Sequence, residues 1–117
     1  MFSCFLLPWP PTVNSMFGQK PGRKRYQSKK YKDWIDGALA AVRRQKVEEN
    51  YTGNVAVTLR MGAPDKRKRD LDNYVKPILD LITKTDIWAD DSQVTWLLVL
   101  WDSDIKNGVQ IEIVEAP

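Results

Sequence analysis

Polar and apolar positions change rhythm several times along the chain, and each change marks an element. Phe2 to Leu7 is a short apolar run that stops at Pro8-Trp9-Pro10-Pro11, where proline withholds the N–H that a ladder needs; it reads as a strand. Residues 10–27 read as a long loop broken by Gly18, Pro21 and Gly22, and a loop of that length in a small domain is functional or disordered. Tyr31, Trp34, Ile35, Ala38, Leu39 and Val42 then recur at three-and-four spacing, which predicts an amphipathic helix over 28–47 with Ser28 as its N-cap. Gly37 weakens that helix by about 1 kcal/mol relative to alanine. Val55, Val57, Leu59 and Met61 alternate with more polar residues, the period of a half-buried strand, until Gly62-Ala63-Pro64 ends it.

A second helix is predicted over 71–84, capped by Asp70, with Leu71, Tyr74, Val75, Ile78, Leu79 and Ile82 on its apolar face. Pro77 lies inside it and removes one backbone donor, so a kink or a helix start is expected nearby. Val94 to Trp101 is unbroken and apolar, which reads as a buried strand. Asn107-Gly108 marks a turn, and Val109, Ile111 and Ile113 alternate in a last strand. The order β-α-β-α-β-β predicts an α/β (α+β) fold, a mixed sheet with two main helices, as one domain over 1–117. No internal repeat or low-complexity segment interrupts it. Among the five tryptophans, Trp34 and Trp96 are expected in the core; Trp9, Trp88 and Trp101 suit core or interface equally.

Composition narrows the chemistry. The chain has no histidine, which excludes histidine triads, imidazole acid–base catalysis, histidine-containing zinc sites and haem ligation. Cys4 is the single cysteine, so no disulfide framework exists and a reducing compartment fits. Phe2–Leu7 lacks a basic leader, and no apolar run nears the ~20 residues of a membrane helix. The expectation is a soluble cytoplasmic protein with no membrane partner.

The net charge of +3 hides a division. Residues 1–69 carry 15 Lys/Arg against 5 Asp/Glu, whereas residues 70–117 carry 3 against 10. Lys20, Arg23, Lys24, Arg25, Lys29, Lys30 and Lys32 form one basic group, interleaved with Phe17, Tyr26 and Tyr31; Lys66, Arg67, Lys68 and Arg69 form another. Either group alone suits a solvated surface, and the two together favour nucleic acid.

The acidic positions follow at once. Asp70 and Asp72 lie two apart, which separates them by about 200° on a helix but lets them converge where extended chain passes into a helical turn. Asp90-Asp91 precedes the apolar strand, and a helix of roughly 20 Å separates that pair from Asp70, so sequence alone does not unite them. Should three carboxylates meet, oxygen-only ligands suit Mg²⁺ or Mn²⁺. Plainer roles remain open at this point: Asp70 as an N-cap, Asp72 favoured by the helix dipole, Asp90-Asp91 as a solvated turn, and Lys76 in an ordinary i,i+4 pair with Asp72.

The motifs are more specific than the spacing. Arg69-Asp-Leu-Asp-Asn73, Lys76, Asp80-Leu-Ile-Thr-Lys84 and Trp88-Ala-Asp-Asp-Ser-Gln-Val94 resemble the RusA-like family of Holliday-junction resolvases, as does the opening Leu7-Pro-Trp-Pro-Pro11 with Asn14. The resemblance runs from about Leu6 to Glu115. It implies a homodimeric, Mg²⁺-dependent endonuclease of bacterial, phage or prophage origin that cuts four-way DNA junctions. It further implies that Asp70, Asp72 and Asp91 are the catalytic, metal-holding carboxylates, that Lys76 is needed for cleavage, and that Arg67, Lys68 and Arg69 face DNA. The parts of Asp90 and of Arg23, Lys24 and Arg25 in the variable loop stay open, with the last three taken as candidate DNA contacts. Two other classes compete: a non-catalytic nucleic-acid-binding module resting on the basic groups, and a protein-interaction domain whose acidic half docks a basic partner.

Overall fold

The computed structural model describes residues 1–117. Six principal elements occur in the expected order: β1 (Phe2–Pro8), α1 (Lys29–Arg44), β4 (Val55–Gly62), α2 (Val75–Thr83), β5 (Val94–Trp101) and β6 (Gly108–Glu115). The loop 10–27 is not featureless. It holds a 3-10 turn at Val13–Ser15 and a small hairpin, β2 (Phe17–Gly18) against β3 (Tyr26–Gln27). Ser28 caps α1 by accepting the Tyr31 amide at 3.1 Å, and its hydroxyl donates to the Ser15 carbonyl at 2.6 Å. That one side chain fixes the helix start and anchors the hairpin to it.

The main sheet has the order β1-β6-β4-β5. β6 runs antiparallel to both β1 and β4, while β4 and β5 are parallel and joined through α2. A parallel neighbour cannot be reached by a tight turn, so the α2 crossover is obligatory. Alternate strand positions explain the core. Phe5 and Leu7, Val55, Val57, Leu59 and Met61, and Val109, Ile111 and Ile113 point to one face, where Tyr31, Trp34, Ile35, Ala38 and Val42 of α1 and Ile78, Leu81 and Ile82 of α2 cover them. At about 25 cal/mol per Å² this shared apolar burial is the dominant stabilising term. The opposite face is uncovered, and Phe2, Leu6, Leu98 and Val114 are exposed there.

Two expectations need correction. Val94–Trp101 is a strand but not a buried one: it forms the sheet's edge, with Trp96 52%, Leu97 41%, Leu98 42% and Trp101 44% exposed. Trp96 is therefore not a core residue. It pairs in register with Ala56 on the uncovered face. Trp34 and Trp88 are buried, and each indole N–H is satisfied, by the Pro8 carbonyl at 3.0 Å and the Thr83 hydroxyl at 2.8 Å respectively.

Pro77 sits in the first turn of α2, where its missing N–H would have had no intrahelical partner. The predicted single helix is accordingly divided into a 3-10 turn, Leu71–Tyr74, and α2 proper.

Candidate active site

The β4-α2-β5 path fixes where the chemistry stands. The segment after β4 lies at the C-terminal end of the parallel pair, and the segment before β5 lies at the N-terminal end. Asp70 therefore shares a cleft with Trp101, the last residue of β5. Asp91 opens the turn before Val94, whose Gln93 amide donates to the carbonyls of Tyr51 at 2.8 Å and Gly53 at 2.9 Å beside the start of β4. The eight residues of β5 separate these ends by roughly 25 Å at ~3.3 Å per residue.

At the first end, Asp70 has extended backbone (φ −86°, ψ 122°) and Asp72 lies in the following 3-10 turn. This is the extended-to-helical junction under which carboxylates two apart can face one site. Both residues are exposed, and Asp70 makes no capping bond to the turn it precedes. The plain N-cap role is thus absent.

The basic loop before them is built rather than merely solvated. Asp65 takes Arg67 at 3.1 Å and Arg69 at 2.8 Å. Arg69 also donates to the carbonyls of Asp65 and Arg67, both at 3.2 Å, and its guanidinium lies 5.8 Å from the Trp9 ring centre. With 8% of its side chain exposed, Arg69 shapes the loop more than it faces solvent. Hydrogen bonds from Arg67 hold the Asp65 carboxyl far below the usual carboxylate range. Lys66 and Lys68 are exposed. Behind the loop, Trp9 packs on Tyr74 at 4.7 Å and on Trp101 at 6.0 Å between ring centres.

The cleft there measures about 670 Å³ and is lined by Lys66 through Asp70 with Asn73, Tyr74 and Trp101. A second cleft of about 440 Å³ adjoins it through Arg67, Lys68 and Arg69, and its far wall carries Lys30 from the first turn of α1. Lys30 of the first basic group thus stands across a cleft from the second. The hairpin carries Lys20, Arg23, Lys24 and Arg25, all exposed; Arg25 stacks over the Phe17 ring at 4.0 Å. Tyr26 leans over Gly18, where a Cβ would come within 2.6 Å of its ring and push that exposed side chain aside.

At the other end, Asp90 has a structural occupation. Its carboxylate accepts the Ser92 amide at 3.1 Å while Gln93 accepts the Asp90 amide at 3.1 Å, a capping box around the turn. Hydrogen bonds from Ser92 pull its carboxyl below the ordinary value. Asp91 follows, exposed. Lys76 pairs with Asp80 at 3.4 Å, not with Asp72, and remains 59% exposed. No three acidic or sulfur side chains of one chain gather as a metal centre. The sequence pattern does not single out Asp65, although its spacing of two and four from Arg67 and Arg69 is a usable signal; Trp9, open to core or interface by sequence, packs behind this loop.

Comparison with known proteins gives these features a context. The family model for endodeoxyribonuclease RusA matches residues 8–114. The chain belongs to the RusA family. It is similar to the crossover junction endodeoxyribonuclease RusA of Escherichia coli strain K12, 32% identical over 110 residues, covering 93% of this chain and 91% of that one. The crossover junction endodeoxyribonuclease of Enterobacteria phage 82 matches with the same identity and coverage, and that of Shigella sonnei likewise. The RusA match spans every element from the end of β1 to β6, so it includes both acidic ends and the basic loop. No helix is long and apolar enough to cross a membrane.

Proposed function

We propose that this chain is a divalent-metal-dependent endonuclease that resolves four-way DNA junctions by paired cuts, working in the cytoplasm of a bacterium as a host or phage protein. The supporting observation is the end of the sheet where two basic groups from distant segments line adjoining clefts beside the exposed carboxylates of Asp70 and Asp72. Lys66, Arg67, Lys68 and Lys30 would hold phosphates there, with Arg23, Lys24 and Arg25 extending the contact along the hairpin. Phosphate contacts of this kind position DNA without reading its sequence.

Hard oxygen donors with no nitrogen or sulfur ligand suit Mg²⁺, with Mn²⁺ as a substitute. Asp70, Asp72 and Asp91 are the residues proposed to hold it, and Asp70 and Asp72 are exposed and free of capping duty, as ligands must be. When bound, the cation neutralises developing phosphoryl charge and lowers the pKa of water, the task an imidazole would otherwise share. Lys76 has an ammonium held only by an exposed pair with Asp80, and such pairs are worth under about 1 kcal/mol. Releasing it toward a phosphate therefore costs little, and it would stabilise charge on the scissile group. Asp65 keeps the loop in shape, and Asp90 keeps the turn before Asp91 in shape.

The test is a synthetic four-way junction incubated with purified protein. Symmetric nicks with Mg²⁺, none with EDTA, and none from Asp70→Asn despite retained junction binding are expected. Junction binding without any cleavage would leave the alternative, a non-catalytic nucleic-acid-binding module.

A further inference from the structure

We propose that Trp101 is a stacking platform for one unstacked base, so that a nucleotide beside the scissile phosphate is held with its base on the indole and its phosphate at Lys66, Arg67 and Lys68. The inference rests on the nuclease reading above and deepens it: it names a residue by which the site tells a branched strand from plain duplex.

The sheet sets Trp101 in place. The residue lies opposite Met61 of β4, whose side chain is fully buried, so both point to the helix face. One residue on, the Asp102 amide donates to the Met61 carbonyl at 2.9 Å and closes the end of the pairing. Behind the indole stands Trp9, nearly parallel to it at 19° with 6.0 Å between ring centres. Tyr74 backs Trp9 in turn at 4.7 Å, and the Arg69 guanidinium lies 5.8 Å from the Trp9 ring centre. Three aromatic side chains and a cation thus form a stack whose last member is still 44% exposed. Held by a strand on one side and a ring on the other, the indole has little freedom left to lose when a ligand arrives.

The surroundings decide what fits the exposed ring. Its cleft of about 670 Å³ is lined by Lys66 to Asp70 and by Asn73. An apolar side chain of a protein partner would meet cations on one side and a carboxylate on the other. A nucleotide meets matched chemistry: a phosphate for the basic run, and a flat base with a π-face for the indole. Trp96, the other exposed tryptophan, lines neither of the clefts beside the basic loop. A base can use the indole only by leaving its own stack. Within a plain duplex the cost of unstacking and unpairing offsets the gain. At a branch point stacking is already interrupted, so the cost falls and the gain remains. Trp101 therefore favours junctions, whereas phosphate contacts alone would hold any duplex.

The test needs no cleavage. In EDTA, the parent, Trp101→Ala and Trp101→Phe are titrated with a four-way junction and with a duplex of the same arm sequence. Trp101→Ala should weaken junction binding by roughly 10- to 100-fold and duplex binding hardly at all, and Trp101→Phe should recover most of the loss. Stacking releases no counterions, so the slope of log affinity against log salt should stay at the parent's value. A loss shared equally by junction and duplex, or a changed slope, would mean that Trp101 only shapes the basic loop. No loss at all would mean that the cleft takes no base. Should Trp101→Ala fail to fold, the parent decides. With 5-iododeoxyuridine at successive positions around the branch point, irradiation in EDTA should cross-link one position to the peptide carrying Trp101; cross-links only elsewhere, or none, overturn the platform. The nuclease reading is judged apart from this. A parent that stacks a junction base on Trp101 yet cuts nothing with Mg²⁺ keeps the platform and loses the nuclease. A parent that cuts junctions while Trp101→Ala keeps the parental preference does the reverse.

Discussion

The two edges of the sheet are treated in opposite ways. At the β1 edge, alternate residues turn their backbone groups outward, and the chain meets the last two of them, Leu6 and Pro8. The side-chain amide of Gln45, at the end of α1, accepts the Leu6 N–H and donates to the Leu6 carbonyl, both at 2.7 Å. Pro8 has no N–H to satisfy, and its carbonyl takes the Trp34 indole. At the β5 edge nothing of the kind occurs: the strand is longer, free of proline and charge, and apolar on both faces. Exposed edges template pairing, and proteins that must stay monomeric blunt them. One edge is thus partly closed by its own chain, and the other is bare.

The comparison can be broken from either side. The largest effect should come from moving a blunting device onto β5. Trp96→Lys places a charge on the exposed face of the bare edge, and self-association in sedimentation velocity should fall by roughly a hundredfold or more in association constant. Leu6→Lys, at a site of similar exposure on β1, should leave the oligomeric state unchanged. Equal effects from both would mean that the two edges do not differ in their tendency to pair.

Next in size is the removal of the β1 guard. Gln45→Ala deletes two hydrogen bonds to Leu6 and one to the Ala41 carbonyl. A loss of about 1–2 kcal/mol is expected, read in calorimetry as a fall in melting temperature of roughly 5–10 °C. The bared edge should also raise aggregation at high concentration. An unchanged melting temperature would show that water protects that edge as well as Gln45 does.

The smallest effect concerns the loop before Asp70. Asp65→Asn frees Arg67 and Arg69 from their clamp, and the slope of log binding constant against log salt for junction DNA should steepen by about one. Its stability effect carries a definite sign with pH. The Asp65 carboxyl is depressed in the folded chain by Arg67, so the parent's advantage over Asn is full above the unfolded value of about 3.9. The advantage narrows as pH falls below that value. Denaturant melts of both proteins at pH 7 and pH 2.5 check it; a gap that widens in acid would refute the clamp.

Local features were readable from the sequence because their causes are local. Ser28 caps α1, Pro77 marks the start of α2, and Asn107, with φ 48°, turns the chain into β6, each through a neighbour's backbone. The error at β5 has an equally plain cause. An apolar run marks a strand but does not say whether it lies at the centre or the edge of its sheet, which long-range pairing decides. Asp70 and Asp91 stand out by motif, yet their placement at opposite ends of β5 depends on the parallel β4–β5 pairing, a long-range fact. Lys30 beside Arg67 and Arg69 under Trp9 depend on long-range packing in the same way.

The proposed role of the carboxylates beside the basic loop is tested most directly by Asp70→Asn, which alters one exposed carboxylate that makes no capping bond. Junction binding and junction cleavage with Mg²⁺ should be measured on the same sample, with circular dichroism to confirm the fold. The account predicts a folded protein that binds junction DNA as the parent does and cuts nothing. A folded variant that cleaves at the parental rate would contradict it.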